Sequence, residues 1–213
     1  CYIYQKSQGS EATVFGLKHT GGSGWTGYKF YINTSGGFVF YAEDAGSGDW
    51  DIILSAGNGT VSLNRWHHLS ATRNGNTFRV FVDGVEKASS TSSVDLNDGG
   101  DGFYISQNGG NQQYFNGFIS NVRVIKGTAL YTSSFTPPTR ALTNVTNTKL
   151  LCCQSNTSAT EGAVKPGTIT ANGDAVATNF NPFNTDINAV RGQETGYATL
   201  NPLDNQSFTL SDG

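Results

Sequence analysis

The chain has 213 residues and a formal net charge of -3, and Asp, Glu, Lys and Arg together make up only 14% of it. Cations this sparse and unclustered exclude a nucleic-acid surface, which displaces counterions with grouped Lys and Arg, and no run of about 18 to 20 apolar residues is present for membrane insertion. The 27 glycines, the many Asn, Ser and Thr residues, the 12% of aromatics and the absence of Met predict short strands and tight turns rather than long helices.

Tyr2, Ile3 and Tyr4 read as strand from the outset, without a leader, so the segment is expected to be cut from something longer. Thr13 to Leu17 is a second short strand, and His19 to Thr26 a Gly-rich loop that carries Trp25. Tyr28, Phe30 and Ile32 then alternate with Lys29, Tyr31 and Asn33; the turn TSGG reverses the chain and Phe38 to Tyr41 returns, which predicts a hairpin. After a polar loop containing Asp44, Asp49 and Asp51, Ile52 to Leu54 resumes strand, and Asn58-Gly59 marks a turn.

Trp66 to Arg73, the turn NGN and Phe78 to Asp83 predict a second hairpin, and Asp83-Gly84 turns the chain again into Val85 to Ala88. Phe78, Val80 and Val82 share one face and Thr77, Arg79 and Asp83 the other, so this strand has one buried side. A polar loop over 89–102 precedes a strand from Phe103 to Gln107. Gly117 to Ile125 reads as one further strand, Lys126 to Ser134 leaves room for one helical turn before Phe135, Pro137 and Pro138 stop it, and Lys149 to Cys153 closes the sandwich. From Gln154 onward periodicity fades until Ser207, Phe208, Thr209 and Leu210, so 154–213 is expected as an extended Thr/Asn/Gly-rich arm or linker.

Cys1, Cys152 and Cys153 are too few for a disulfide scaffold, and neighbours in an extended strand do not bridge easily. Buried thiols are expected, with a bridge from Cys1 to one of the pair left open. His67 and His68 point to opposite faces of a strand and cannot simply share an ion.

Two stretches, NRWHHLSATRNGNTFRVFVDGVEKAS and FNGFISNVRVIKGTALYTSSFTPP, resemble the laminin G-like, concanavalin A-like lectin-fold domains. The resemblance covers about residues 1–153 and implies an all-β antiparallel jelly-roll sandwich lacking the family's opening strand. Together with TKLLCCQS and the NGDA and FNPF segments of the arm, it also resembles modules of structural tail and fibre proteins from phages of cyanobacteria. A sandwich short of one strand invites a donated one, and Ser207, Phe208, Thr209 and Leu210 are the candidate assembly strand. Trimming of a longer chain is the alternative.

Some laminin G-like domains bind calcium at loop carboxylates, and Asp95, Asn97, Asp98 and Asp101 offer oxygen ligands of that type, though not at EF-hand spacing. Asp44, Asp49 and Asp51 are a second such group. No cofactor is required, and calcium is the one left open. Lectin-like folds often bind glycans, and Trp25, Tyr28, Trp50 and Tyr114 are the candidate aromatic platform. Asn33, Asn58, Asn144, Asn156 and Asn205 are each followed two residues later by Ser or Thr, the pattern for glycan attachment. A glycosidase would need paired carboxylates, and no Glu-x-Asp-x-Glu run, GxSxG elbow or phosphate loop is present. The expected function is therefore a non-enzymatic structural or adhesion module of a virion appendage or extracellular fibre, partnered by copies of itself and by cell-surface glycans, with no nucleic acid and no membrane insertion. A free carbohydrate-binding lectin is the alternative, and a glycan-cleaving enzyme a third reading.

Overall fold

The computed structural model describes residues 1–17, 27–43, 50–96, 102–108 and 112–183. Among the described residues thirteen strands follow in chain order: β1 Tyr2–Gln5, β2 Ala12–Leu17, β3 Gly27–Ile32, β4 Phe38–Glu43, β5 Ile52–Ser55, β6 Trp66–Asn74, β7 Thr77–Val82, β8 Val85–Thr91, β9 Phe103–Ile105, β10 Gly117–Ser120, β11 Val122–Ile125, β12 Thr148–Cys152 and β13 Gly162–Val164. They form two five-stranded antiparallel sheets, ordered β10-β1-β6-β7-β8 and β5-β4-β3-β2-β9, and a three-stranded sheet β11-β12-β13.

The alternation seen in the sequence places the core. Ile3, Leu69, Phe78, Val80 and Val82 point inward from the first sheet, and Val14, Phe30, Ile32, Phe38, Phe40, Ala42, Ile52 and Leu54 from the second. Phe15 stacks on Phe30 with centroids 4.2 Å apart, and Phe40 meets Phe78 across the sandwich at 6.4 Å. Each such side chain removed from water stabilises the fold by roughly 1.5–3 kcal/mol, so these facing rows hold the sheets together.

Two expectations change. The stretch Gly117 to Ile125 is two strands, because Asn121 adopts a left-handed φ of 55° and its Oδ1 accepts hydrogen bonds from Leu142 N–H (2.8 Å) and Gln154 Nε2 (2.7 Å). There the chain leaves the first sheet for the third. No helical turn forms over Lys126 to Ser134, since that segment's polar groups serve the neighbouring strands: the Tyr131 carbonyl accepts Thr72 Oγ1 at 2.8 Å, the Glu86 amide donates to Ser134 Oγ at 3.0 Å, and the Phe135 amide donates to the Gly84 carbonyl at 2.8 Å.

β1 is paired on both sides, with β10 and with β6. The arm contributes structure of its own, for β13 pairs with β12 through Leu151–Val164 and Cys152–Gly162. The compact unit that holds the sandwich runs Cys1–Pro182. The expected assembly strand Ser207 to Leu210 lies outside the described residues.

Candidate functional site

β3 alternates, and the face it turns away from the core carries Lys29 and Tyr31. Register sets Lys29 directly opposite Tyr41 of β4, and Tyr31 opposite Thr13 of β2. The Lys29 ammonium lies over three rings, 4.6 Å from the Tyr31 centroid, 5.3 Å from Tyr41 and 5.9 Å from Trp50. Tyr41 and Trp50 pack at 4.9 Å.

A polar chain completes the cluster. Lys29 Nζ donates to Gln113 Oε1 at 3.2 Å, Thr13 Oγ1 donates to the same oxygen at 3.1 Å, and Gln113 Nε2 donates to Glu11 Oε2 at 2.7 Å. Lys29 is 9% and Tyr31 3% exposed, so they form a floor, while Tyr41, Trp50 and Gln113 are half-buried walls and Glu11 is exposed.

Burial pulls the Lys29 ammonium below its ordinary value, and the Glu11 carboxylate opposes that pull. Burial pushes the Tyr31 phenol up, helped by its hydrogen bond to Glu11 and by the charges of Glu11 and Tyr41. Burial and Glu11 raise Tyr41 likewise. The phenols therefore stay protonated as donors. A cation fixed against ring faces, beside an amide and a carboxylate, suits a ligand that has one apolar face and a fringe of hydroxyl or acidic groups.

Of the four aromatics singled out from the sequence, Trp50 belongs to this cluster. Tyr28 points to the other side of β3, packs against the core with Phe40 at 6.5 Å and is pushed up to about 12 by burial. Tyr114 is 61% exposed beside Gln113, and Trp25 lies outside the described residues. Lys29, Tyr31, Tyr41, Gln113 and Glu11 escaped sequence reasoning. Alternation assigned Lys29 and Tyr31 to the face away from Phe30, but nothing local says that this face is lined by distant residues.

Asp95 and Asp51 are exposed, whereas Asn97, Asp98, Asp101, Asp44 and Asp49 lie outside the described residues. Among the described residues no three His, Cys, Asp or Glu side chains converge as a metal site. Asn58, Asn144 and Asn156 are exposed. Asn33 Nδ2 instead donates to Asn58 Oδ1 at 3.1 Å while its Oδ1 takes the Ser35 and Gly37 amides. Asn205 lies outside the described residues.

The outer face of the first sheet is aromatic and covered by the chain itself. Tyr131 and Phe135, stacked at 3.5 Å, lie against His68 and Phe81. Further along, Phe180 enters a trough formed by Tyr4 (4.9 Å), Trp66 (5.3 Å) and Phe118 (4.8 Å). Trp66 Nε1 is buried there without a hydrogen-bond partner among the described residues.

One constellation has the residue types of a nucleophilic triad. Ser62 Oγ is 2.9 Å from His67 Nε2, and His67 Nδ1 is 2.8 Å from Asp83 Oδ2. The Ser62 backbone amide, however, also donates to His67 Nε2 at 3.1 Å, and Asp83 Oδ1 accepts the His68 amide at 2.8 Å. Nε2 is thus the acceptor that ties the 62–67 loop to its own strand, and Asp83, at φ 50°, closes the β7–β8 turn. The group is a brace.

Two five-stranded antiparallel sheets closed on an aromatic core define a lectin-type jelly roll. The chain belongs to the concanavalin A-like lectin/glucanases superfamily, whose laminin G-type family model matches residues 1–131. No curated protein matches it.

Solved structures resemble it in fold. A Bacteroides ovatus ATCC 8483 protein named as a candidate carbohydrate binding protein has a TM-score of 0.46 at 20% identity, over 58% of this chain and 35% of its own. A leech intramolecular trans-sialidase has a TM-score of 0.46 at 14% identity, over 55% and 19%. The CBM40 of a Ruminococcus gnavus IT-sialidase has a TM-score of 0.47 at 13% identity, over 55% and 67%. The chain thus spans well under two thirds of the length of the first two.

Proposed function

We propose that this chain is a non-enzymatic adhesion module of a virion appendage or extracellular fibre, which takes hold of glycans through the Lys29 face. The observation that carries this reading is the cluster itself: three rings around one buried ammonium at 4.6–5.9 Å, walled by Tyr41, Trp50 and Gln113. A sugar can lay its apolar face on Trp50 and Tyr41 while its hydroxyl or carboxylate groups meet Gln113 and the lysine. The brace role of Ser62, His67 and Asp83 supports a module without turnover.

The test is a glycan array probed with the full chain, followed by titration of the best binder against Trp50→Ala and Tyr41→Ala. Loss of one stacking ring is expected to weaken binding at least about tenfold, equivalent to about 1.4 kcal/mol. Undiminished binding by both folded variants would overturn the site. Polysaccharide turnover abolished by changing one carboxylate would overturn the non-enzymatic reading.

Assembly through the arm is a second reading, favoured by Phe180 in its trough. Residues 170–179 are exposed apart from the half-buried Ala177, and the hydrogen bonds seen there are local, such as Asn172 Nδ2 to the Thr170 carbonyl and the Phe180 amide to Thr178 Oγ1. A tether of this kind can deliver the same ring to its own domain or to a second copy. The balance is set by effective concentration, which for short linkers lies on the order of millimolar.

A further inference from the structure

The lysine face and the aromatic trough make no use of the cysteines, yet two of them are placed for chemistry. β12 ends at Cys152, and Cys153 takes a left-handed φ of 60°. Consecutive side chains of an extended strand point to opposite faces. The left-handed residue cancels that alternation, and Cys152 Sγ and Cys153 Sγ are 3.7 Å apart.

Both residues are held in place. Cys152 is 2% exposed, paired with Val122 on one side and Gly162 on the other, and a β-carbon on Gly162 would stand 3.3 Å from its Cβ. Cys153 is partly exposed, and its carbonyl accepts the Asn121 amide at 2.9 Å. The two thiols are also unequal. The hydrogen bond between them, followed by burial, pushes Cys152 up, while the same bond holds Cys153 below its ordinary value against the upward pull of burial. The pair therefore joins a thiol held towards its thiolate, on a residue that is partly exposed, to one that is fully buried.

We propose that Cys152 and Cys153 are a vicinal dithiol that closes reversibly to an eight-membered disulfide ring in exchange with a small-molecule disulfide such as oxidised glutathione. The Cys153 thiolate attacks one glutathione sulfur, forming a mixed disulfide and expelling a glutathione thiolate. Cys152 then gives up its proton to that thiolate and attacks the Cys153 sulfur, and the second glutathione leaves. Two protein thiols lose two electrons and two protons, and one glutathione disulfide becomes two glutathione thiols. Adjacent Cα atoms lie about 3.8 Å apart, closer than the roughly 4.4–6.8 Å of ordinary disulfides, so the ring stays reducible and the exchange runs both ways. Closure bears on Asn121, where the chain changes sheets, and on β13, which pairs with Cys152.

The test equilibrates the full chain with oxidised glutathione, quenches it with N-ethylmaleimide and maps tryptic peptides. The peptide that begins at Leu150 holds both cysteines. It is expected to be lighter than the dithiol form by two hydrogen atoms and free of alkylation, and to take up two maleimides after dithiothreitol. Cys152→Ser is expected to accumulate a stable glutathione adduct on Cys153, and Cys153→Ser to form neither adduct nor ring. Full alkylation of both thiols after oxidation would overturn the proposal. A cross-link between that peptide and the Cys1 peptide would overturn it as well.

Discussion

His67 and His68 are neighbours on β6 with opposite surroundings. His67 faces inward to Ser62 and Asp83, while His68 faces outward under Tyr2 (4.7 Å), Phe135 (5.5 Å) and Tyr131 (6.3 Å), its Nδ1 buried without a hydrogen-bond partner among the described residues. Burial pulls His68 down to about 2; Arg123 adds to that pull and Asp83 opposes it. Folded His68 is therefore neutral, whereas in the unfolded chain it takes a proton below about 6.5. Its contribution to stability is complete above that value and declines as the pH falls from there towards the folded value. Asp83 acts lower: burial alone would raise it, but hydrogen bonds from His67 and the His68 amide outweigh burial and hold it below its ordinary 3.8, so its contribution is lost only as the pH falls below that ordinary value. Urea unfolding between pH 7 and pH 5 is expected to show stability falling with a His68 share of up to about 1.4 kcal/mol per pH unit. His68→Phe, which keeps the ring packing, is expected to remove that share; an unchanged slope would contradict the buried neutral state.

The hairpins were legible because period-two alternation and the pairs Asn74-Gly75 and Asp83-Gly84 are local signals, and Phe30 and Ile32 of β3 and Phe78, Val80 and Val82 of β7 face the core as their alternation reads. The connection from β11 to β12 was not, because its conformation is set by what it lies on. Lys126 to Ser134 left room for one helical turn stopped by Phe135; instead Tyr131 and Phe135 stack on the outer face of β6 and β7, with the backbone anchored at Gly84. That glycine has φ 78°, and a β-carbon there would overlap the Phe135 carbonyl oxygen and stand 2.8 Å from Pro137 Cδ. Gly84→Ala is accordingly expected to cost at least about 2 kcal/mol from backbone strain and displaced packing, read as a lowered melting temperature. Val85→Ala, at a side chain 50% exposed, is the near-neutral control. The break at Asn121 was hidden for a related reason: Phe118, Val122 and Val124 fall on one face and Asn121 and Arg123 on the other, as in a single strand, and the Asn121 contacts with Leu142 and Gln154 lie far along the chain.

Over the whole molecule, the lectin-type architecture was readable and the Lys29 face only in fragments. Trp50 could be named as an aromatic in a loop, but its partners need the β3–β4 register for Tyr41 and a contact spanning 100 residues for Thr13 with Gln113. Phe180 went unread because the arm has no period to betray one ring with a receiving trough. If copies exchange arms, light scattering after size exclusion is expected to show oligomers that grow with protein concentration, and Phe180→Ala to stay monomeric at every concentration. Oligomers of equal size in that variant would remove the trough from the joint.

The sandwich has unlike flanks. One is dressed by Tyr131, Phe135 and Phe180 of its own chain; the other leaves Trp50, Tyr41 and Ile53 partly open, Ile53 at 58% exposure. Each copy thus has a heads and a tails. If copies are fastened by the dressed flank, the open one is turned away from the joint, and on the proposed glycan reading many feeble sugar contacts then add into one firm grip, as hooks on a strip hold where a single hook slips.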